Sequence, residues 1–408
     1  MPSDTPTPRA LDGVLVLDLS RILAGPTATQ LLGDLGATVI KIENPRTGGD
    51  DTRSWGPPYV QTIDGKSDLS AYFLSANRNK FSVSADLSTR EGQDLVKQIA
   101  SQAQIVIENY KPGGLKKYGL DYASLSALNP DLVYCSISGF GQTGPNRDQP
   151  GYDLMAQGFG GIMSITGDPE GAPMKVGVGI ADVMCGMYAT IGMLAALRHA
   201  EATGEGQQID LSLVDSQMAW LINEGTNYLT SSSPPKRRGN GHPNIAPYNV
   251  FETSDGHVIL AVGNDTQFQS FCTAFDRNDL KHDPKFKTNP LRLQNRSALE
   301  TAITETFRAR STGEVISILK SRGVPCGPIH TIGQALSSPQ AVARESVVNV
   351  PSSTATSGSV SVLGNPLKFS KTPVQYAKSP PRFGEDSKDI PALLSQHKSQ
   401  HRSRKGEN

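Results

Sequence analysis

One carboxylate in this sequence stands where a charge needs a reason. In Val176-Gly177-Val178-Gly179-Ile180-Ala181-Asp182-Val183 a single acidic residue separates a Gly-rich approach from a strongly apolar run. Two chemistries fit it. Asp182 at the head of a helix can cap it by accepting backbone N–H bonds. The same helix terminus can hold a partly buried carboxylate ionised while Gly177 and Gly179 let a bulky ligand approach the backbone, and an ionised, desolvated carboxylate is a nucleophile. A second candidate is Gly139-Phe140-Gly141-Gln142-Thr143-Gly144, a GxGxxG spelling right after a predicted strand, where a dinucleotide pyrophosphate would rest on a helix N-terminus. Pro145 follows at once, residues 146–151 carry no helical pattern, and no acidic strand end follows about 20 residues on to hold a ribose, so the pattern favours a plain Gly-rich loop. The third is Arg237-Arg238-Gly239-Asn240-Gly241-His242-Pro243, rich in donors, with glycines that permit a lid or simply a turn. For a polyanion the local candidates are Arg78-Asn79-Lys80 and Lys116-Lys117, whose other reading is ordinary solvated surface.

The elements that must position these residues read as alternating strands and helices. Val14-Leu15-Val16-Leu17-Asp18-Leu19 is the aliphatic run of a strand buried on both faces of a parallel sheet. A helix over residues 27–35, stopped by Gly36, leads to a second strand over 37–43, which makes a βαβ unit. Strand signals recur at 104–108 and 132–137, each after a helical pattern (89–101 and 122–128). This alternation predicts a doubly wound α/β domain. Residues 182–200 are apolar on nearly every face, as in a helix buried in the protein or in a subunit interface. After a further helix at 217–229 and a Ser/Pro run, strands (248–253, 257–262) and helices (267–275, 296–308, 313–322) form a smaller α+β unit. The expected organisation is therefore a large α/β domain from 1–224, a small α+β domain from 225–332, a return to the large domain over 333–395 and a disordered tail, 396–408, lacking hydrophobic content.

Composition bounds the function. The 408 residues suffice for two or three folded units. Lys+Arg and Asp+Glu both number 39, and no polybasic block precedes the last few residues, which argues against a nucleic-acid partner. No stretch reaches about 18–20 uninterrupted apolar residues, so no membrane association is expected. Four scattered cysteines, without CxxC pairs or nearby His spacing, argue against a disulfide scaffold and a metal site and fit a reducing compartment. The Pro-broken N-terminus reads as neither a secretory signal nor a transit peptide, so the cytoplasm is the expected location and the mitochondrion the alternative.

Read together, the segments Leu17-Asp18-Leu19-Ser20-Arg21-Ile22-Leu23-Ala24-Gly25-Pro26, Asn77-Arg78-Asn79-Lys80, Glu108-Asn109-Tyr110-Lys111-Pro112-Gly113, Gly151-Tyr152-Asp153 and Gly323-Val324-Pro325-Cys326-Gly327-Pro328 resemble the family III CoA-transferases in order and spacing. The resemblance covers nearly the whole chain. Within the family, Asp51-Thr52-Arg53-Ser54-Trp55-Gly56-Pro57-Pro58 and Tyr248-Asn249-Val250-Phe251 are most similar to the succinyl-CoA-dependent glutarate or hydroxymethylglutarate members. It implies a Rossmann-like large domain, two ring-shaped protomers interlocked as a homodimer, acyl-CoA and a carboxylic acid as substrates, and no permanently bound cofactor. Asp182 stands at the position of the family's attacking aspartate, and the family's Gly-rich lid aligns with Gly239-Asn240-Gly241, whose amides become candidate oxyanion donors. The CoA contact positions of its formyl-CoA transferase members fall on Ile22, Ala24, Ala85, Leu87, Asn109, Tyr110, Lys117 and Phe140. An arginine and a lysine of those members are replaced here by Asn44 and Ser138. Arg53, Arg78, Tyr152 and Arg238 lie in family-like segments near the expected mouth and are the candidates for holding an acceptor's second carboxylate. Acyl-CoA racemases of the same fold need a histidine base where this chain has Tyr152, whose ordinary pKa of about 10 suits that role poorly. The rival from another class is a non-catalytic acyl-CoA or nucleotide-binding protein in which Asp182 only caps its helix.

Overall fold

In the computed structural model residues 9–66 and 68–405 are described, with side chains as far as residue 399. The chain divides into two compact units. The first comprises Met1–Gly161, Val176–Trp220 and Pro339–Asn408, the second Ile162–Lys175 and Leu221–Ser338. These bounds move the expected divisions by a few residues and add an excursion, 162–175, that no composition shift announces.

The first unit is built on six parallel strands: β1 (Leu15–Asp18), β2 (Thr38–Glu43), β3 (Lys80–Ser84), β4 (Ile105–Glu108), β5 (Val133–Ser138) and β6 (Gln208–Ser212), in the order β3-β2-β1-β4-β5-β6. This is the doubly wound order, with its reversal between β1 and β4. Register pairs such as Leu17↔Ile40 and Leu17↔Val106 place β1 at the centre, where Leu15 to Asp18 are wholly buried. Because side chains alternate across a strand, Val16, Val39 and Ile107 enter one apolar core while Leu17, Ile40 and Val106 enter the other. The first core is closed by helices α1 (Ala24–Asp34) and α4 (Ile180–Thr203), the second by α2 (Arg90–Ala100); two further helices, α3 (Asp153–Phe159) and α5 (Leu213–Ala219), pack against α4. Gly186 is where α4 meets α1: a Cβ there would lie 2.6 Å from the Ala24 carbonyl oxygen. Strands β3 and β6 carry no sequence signal, since Lys80 and Ser82 are polar yet buried, and β6 is an edge strand with half-exposed side chains. By length and composition α4 could cross a bilayer, contrary to the sequence expectation; half of that window is buried inside the protein, as in the core helix of a globular fold.

The second unit carries helix α6 (Ile222–Ser231) and a three-stranded antiparallel sheet, β7 (Tyr248–Thr253), β8 (Gly256–Ala261) and β9 (Cys326–Pro328). Helices α7 (Asp265–Ala274), α8 (Arg296–Arg308) and α9 (Thr312–Ser321) close its core, in which Phe251, Phe268, Phe271 and Phe307 meet. The chain then returns to the first unit through an antiparallel hairpin of β10 (Val347–Pro351) and β11 (Ser359–Leu363). The expected disordered tail is corrected: helix α10 (Ile390–Lys405) runs through it, and residues 406–408 lie outside the described ones. Ile390 and Leu394, buried in the second core, anchor the first turns, and the polar continuation extends a helix already nucleated.

Candidate active site

The strand ends of the first unit shape a loop and a groove. After β1 the chain makes the turn Ser20-Arg21-Ile22 before α1, and side chains from two strand ends and from the loop after β2 take its successive amides. Asp18 accepts from the Ser20 N–H (2.9 Å) and hydroxyl (2.5 Å). Asn109, just past β4, accepts from the Arg21 N–H (3.0 Å) and donates back to its carbonyl (2.6 Å). Asp50 accepts from the Ile22 N–H at 3.2 Å on each carboxylate oxygen. Beside this turn, at the carboxyl ends of the parallel strands where ligands of open α/β sheets bind, lies a groove of about 190 Å³ lined by Leu19, Asn44, Ala85, Leu87, Tyr110 and Tyr118 among others. Ala85, Leu87 and Tyr110, three of the expected CoA positions, thus share one groove. Arg46 reaches it from the position two residues past Asn44 and pairs with Asp86 at 2.6 Å. Lys117 lies over the Tyr118 ring, 4.7 Å from its centre. Ala24 is buried at the start of α1, and Phe140 packs edge-on against Phe159.

Two of the expected carboxylate ligands are corrected. Arg53 and Arg78 are buried in this unit and committed to internal partners. Arg53 grips Glu43 (2.6 and 2.8 Å), donates to the Pro381 carbonyl (3.0 Å) and stacks on Phe73. Arg78 grips Asp34 (2.5 and 2.9 Å) and donates to the Leu363 carbonyl (2.8 Å). Both hold the returning C-terminal segment, a contact no local pattern reveals. Lys80, also expected at the surface, is wholly buried, bound to Asp18, Asn77 and the Pro26 carbonyl. Burial alone would raise the Asp18, Glu43 and Asp50 carboxyls, yet Lys80, Arg53 and Lys41 respectively hold each below the usual range.

Asp182 is the opposite case. It sits in the first turn of α4, and its carboxylate makes no hydrogen bond among the described residues. The cap is Asp153, whose Oδ1 accepts the Ala181 N–H (2.9 Å) while its Oδ2 accepts from Gln157 Nε2 (2.7 Å). Gln157 in turn accepts the Val176 N–H (2.9 Å), tying the Gly-rich approach to the same cluster. Burial first, and the Asp153 carboxylate second, push Asp182 up to about 7. The expectation was that the helix end keeps Asp182 ionised; burial instead moves its titration up toward neutral pH. Its cap role is corrected too: burial without a donor outweighs the helix terminus. Sequence reasoning missed Tyr72, which rests edge-on against Trp55; burial, then Asp182, Asp153 and Asp50, push its hydroxyl up to about 12. No local pattern in the sequence marks it. Tyr152 precedes α3 and is 62% exposed.

The GxGxxG segment is a loop. Gly141 and Gly144 have φ of +90° and +85°, Gln142 donates its N–H to Asp210 (3.0 Å), and the next helix begins only at Asp153. Gly139 meets Gly151 so closely that a Cβ on it would lie 2.4 Å from the Gly151 Cα.

In the second unit the loop after α6 is stapled to the 162–175 excursion. Arg237 donates to the Asp168 and Gly171 carbonyls (3.1 and 2.7 Å), and the Gly239 N–H to the Gly167 carbonyl (3.1 Å). The Gly241 N–H closes a turn on the Arg238 carbonyl (3.0 Å). Both glycine amides expected as oxyanion donors are thus engaged, which leaves the Asn240 N–H without a partner among the described residues. Arg238 pairs with Glu224 at 3.0 Å and keeps about a third of its side chain exposed. No group of three or more His, Cys, Asp or Glu that could hold a metal occurs among the described residues.

Comparison with known proteins places the chain in a family. The chain is 46% identical over 385 residues to the succinate–glutarate CoA-transferase of Agrobacterium fabrum, covering 94% of this chain and 95% of that one. It is 39% identical over 388 residues to the human succinyl-CoA:glutarate CoA-transferase, covering 95% and 86%. The crystal structure of a CAIB/BAIF family protein from Brucella suis superposes with a TM-score of 0.84 at 45% identity, over 96% of this chain and 100% of that one. With residues 11–387 matched by its sequence profile, this chain belongs to CoA-transferase family III.

Proposed function

We propose that the protein transfers CoA from succinyl-CoA to a dicarboxylic acid of the glutarate, hydroxymethylglutarate or itaconate type, with Asp182 as nucleophile. The observation that carries this reading is a half-buried carboxylate in the first turn of α4 that makes no hydrogen bond among the described residues and has its capping role taken by Asp153. The Agrobacterium and human relatives, named for succinate or succinyl-CoA and glutarate, support the substrate pair. The ionised Asp182 attacks the succinyl thioester carbonyl, giving a mixed anhydride and CoA thiolate. The thiolate attacks the aspartyl carbonyl of that anhydride, giving an aspartyl-CoA thioester and free succinate. The acceptor carboxylate then attacks this thioester, releasing the thiolate again, and the thiolate takes the acceptor acyl group from the second anhydride and restores Asp182. Each step exchanges one activated carboxyl for another, so one hard transfer becomes several near-balanced ones. Tyr72, close enough to Asp182 to feel its charge, is the candidate donor for the developing oxyanions.

In this reading the CoA moiety lies in the groove bearing Ala85, Leu87 and Tyr110, with Ile22, Ala24, Asn109, Lys117 and Phe140 around it, and Arg238 holds the acceptor's second carboxylate. A homodimer is part of the proposal: Met187, Tyr188 and Ile191 leave an exposed apolar strip on α4 that a second copy would cover. Four free cysteines suit a reducing compartment, the cytoplasm or the mitochondrion. Exchange of labelled succinate into succinyl-CoA by the purified protein tests the activity. After mixing with succinyl-CoA alone, mass spectrometry should find CoA or a hydroxylamine-trapped adduct on the peptide containing Asp182; an adduct on Asp153 overturns the assignment.

A further inference from the structure

The turn that follows β1 has no glycine, yet it holds a residue in the left-handed region. Ile22 has φ +72°, a conformation that a β-branched side chain resists. Such a backbone persists only where its surroundings over-determine it. Here the cause is visible: the Ile22 N–H points between the two oxygens of Asp50, at 3.2 Å from each. Asp50 is itself fixed. Its carboxylate pairs with the buried Lys41 ammonium at 2.9 Å and accepts from the Thr52 N–H (3.0 Å) and hydroxyl (2.8 Å). The Lys41 ammonium also donates to the Ser20 carbonyl (2.8 Å), so one ion pair holds the turn at both ends. Asp50, Lys41, Ser20 and Arg21 line a second groove that shares Leu19, Ile42, Asn44 and Tyr110 with the first.

We infer that Asp50 is a positioning residue for acyl-CoA, holding Ile22 in its strained conformation so that the turn before α1 presents a fixed wall to the groove. This rests on reading that groove as the CoA site. Asp50 touches neither substrate nor reacting atoms in this role; it acts through Ile22, doing for a strained isoleucine what a glycine does at no steric cost.

A double-mutant cycle with kinetics and direct CoA binding tests it. Asp50→Asn should raise the KM for succinyl-CoA and the Kd for CoA at least about 10-fold while kcat stays within about twofold. In an Ile22→Gly background, already weakened by the lost side chain, the same substitution should raise KM less than about twofold, because glycine takes φ +72° without being held. Equal factors in both backgrounds, or a fall in kcat at unchanged KM, overturn the inference. Should Asp50→Asn strand the Lys41 charge and unfold the protein, Lys41→Gln with Asp50→Asn removes the stranded charge and enters the same cycle. The groove reading fails separately: Ala85→Trp, which fills the groove, should abolish CoA binding, and an unchanged Kd sinks that reading and the inference with it. Lost binding in Ala85→Trp with equal factors in the cycle sinks the Asp50 role alone.

Discussion

Two regions of the first unit bury carboxylates and treat them in opposite ways. Around β1–β3 Asp18, Asp34, Glu43 and Asp50 each face a buried basic side chain, Lys80, Arg78, Arg53 and Lys41 in turn, and of these burial pushes Lys80 down to about 7. At the head of α4, Asp182 faces none, and its nearest charged neighbour is another carboxylate. Paired burial produces rigidity: Asp18, Glu43 and Asp50 are held ionised, and Arg53 and Arg78 bind segments from the far end of the chain. Unpaired burial produces reactivity, because a carboxylate titrating near 7 is a stronger base, and a stronger nucleophile when ionised, than one held by donors. The chief difference is one of partners, although Asp182 is only half-buried while Asp18, Asp34, Glu43 and Asp50 are fully so.

The largest effect should come from removing the lone carboxylate. Asp182→Asn should lower succinate exchange on the order of 10³-fold or more while CoA still binds, as expected when a covalent nucleophile is lost. Because Asp153 supplies the cap, Asp182→Ala should be no less stable than Asp182→Asn, and an Asn variant with most of its activity would remove Asp182 from the chemistry.

Breaking the paired region should act on folding instead. Arg78→Ala strands the Asp34 charge and should cost about 3–5 kcal/mol in chemical denaturation. Unchanged stability would mean that the ion pair contributes nothing.

The contrast also has a pH signature. Asp182 has a folded pKa of about 7, above its unfolded value, so its contribution to stability is fully present below the unfolded pKa and is lost as pH rises through about 7. Asp182→Asn should therefore gain stability over wild type at pH 8, by at most a few kcal/mol, since each pH unit separating the folded and unfolded pKa is worth about 1.4 kcal/mol, and the gain should vanish near pH 4. Activity runs the other way: kcat/KM should fall as pH drops below about 7, because the ionised form attacks. A stability difference that does not change with pH would show that Asp182 titrates normally.

Smaller still, Asp153→Ala should cost about 0.5–2 kcal/mol through the lost cap. Arg238→Gln should reduce the preference for glutarate over butyrate by roughly 10-fold, as a charged hydrogen bond of about 1.5 kcal/mol would predict. An unaltered ratio would release Arg238 from the acceptor site.

The alternation of aliphatic runs with amphipathic stretches sufficed for the doubly wound class, since strand burial on both faces and helix amphipathicity are written locally. Strands β3 and β6 escaped because burial of Lys80 depends on Asp18 and the Pro26 carbonyl from elsewhere in the fold, and an edge strand needs no apolar face. Asp182 was legible as a charge between glycines and an apolar helix, and the order of motifs led to the right family. What the sequence alone left open, cap or nucleophile, was decided by Asp153, 28 residues before the amide it caps. The fate of Arg53 and Arg78 was decided by Glu43 and Asp34 and by chain some 300 residues away, at Pro381 and Leu363. Periodicity and turn chemistry depend on near neighbours along the chain, whereas the charge state and availability of a buried group depend on which distant residues surround it, and only the folded structure fixes that.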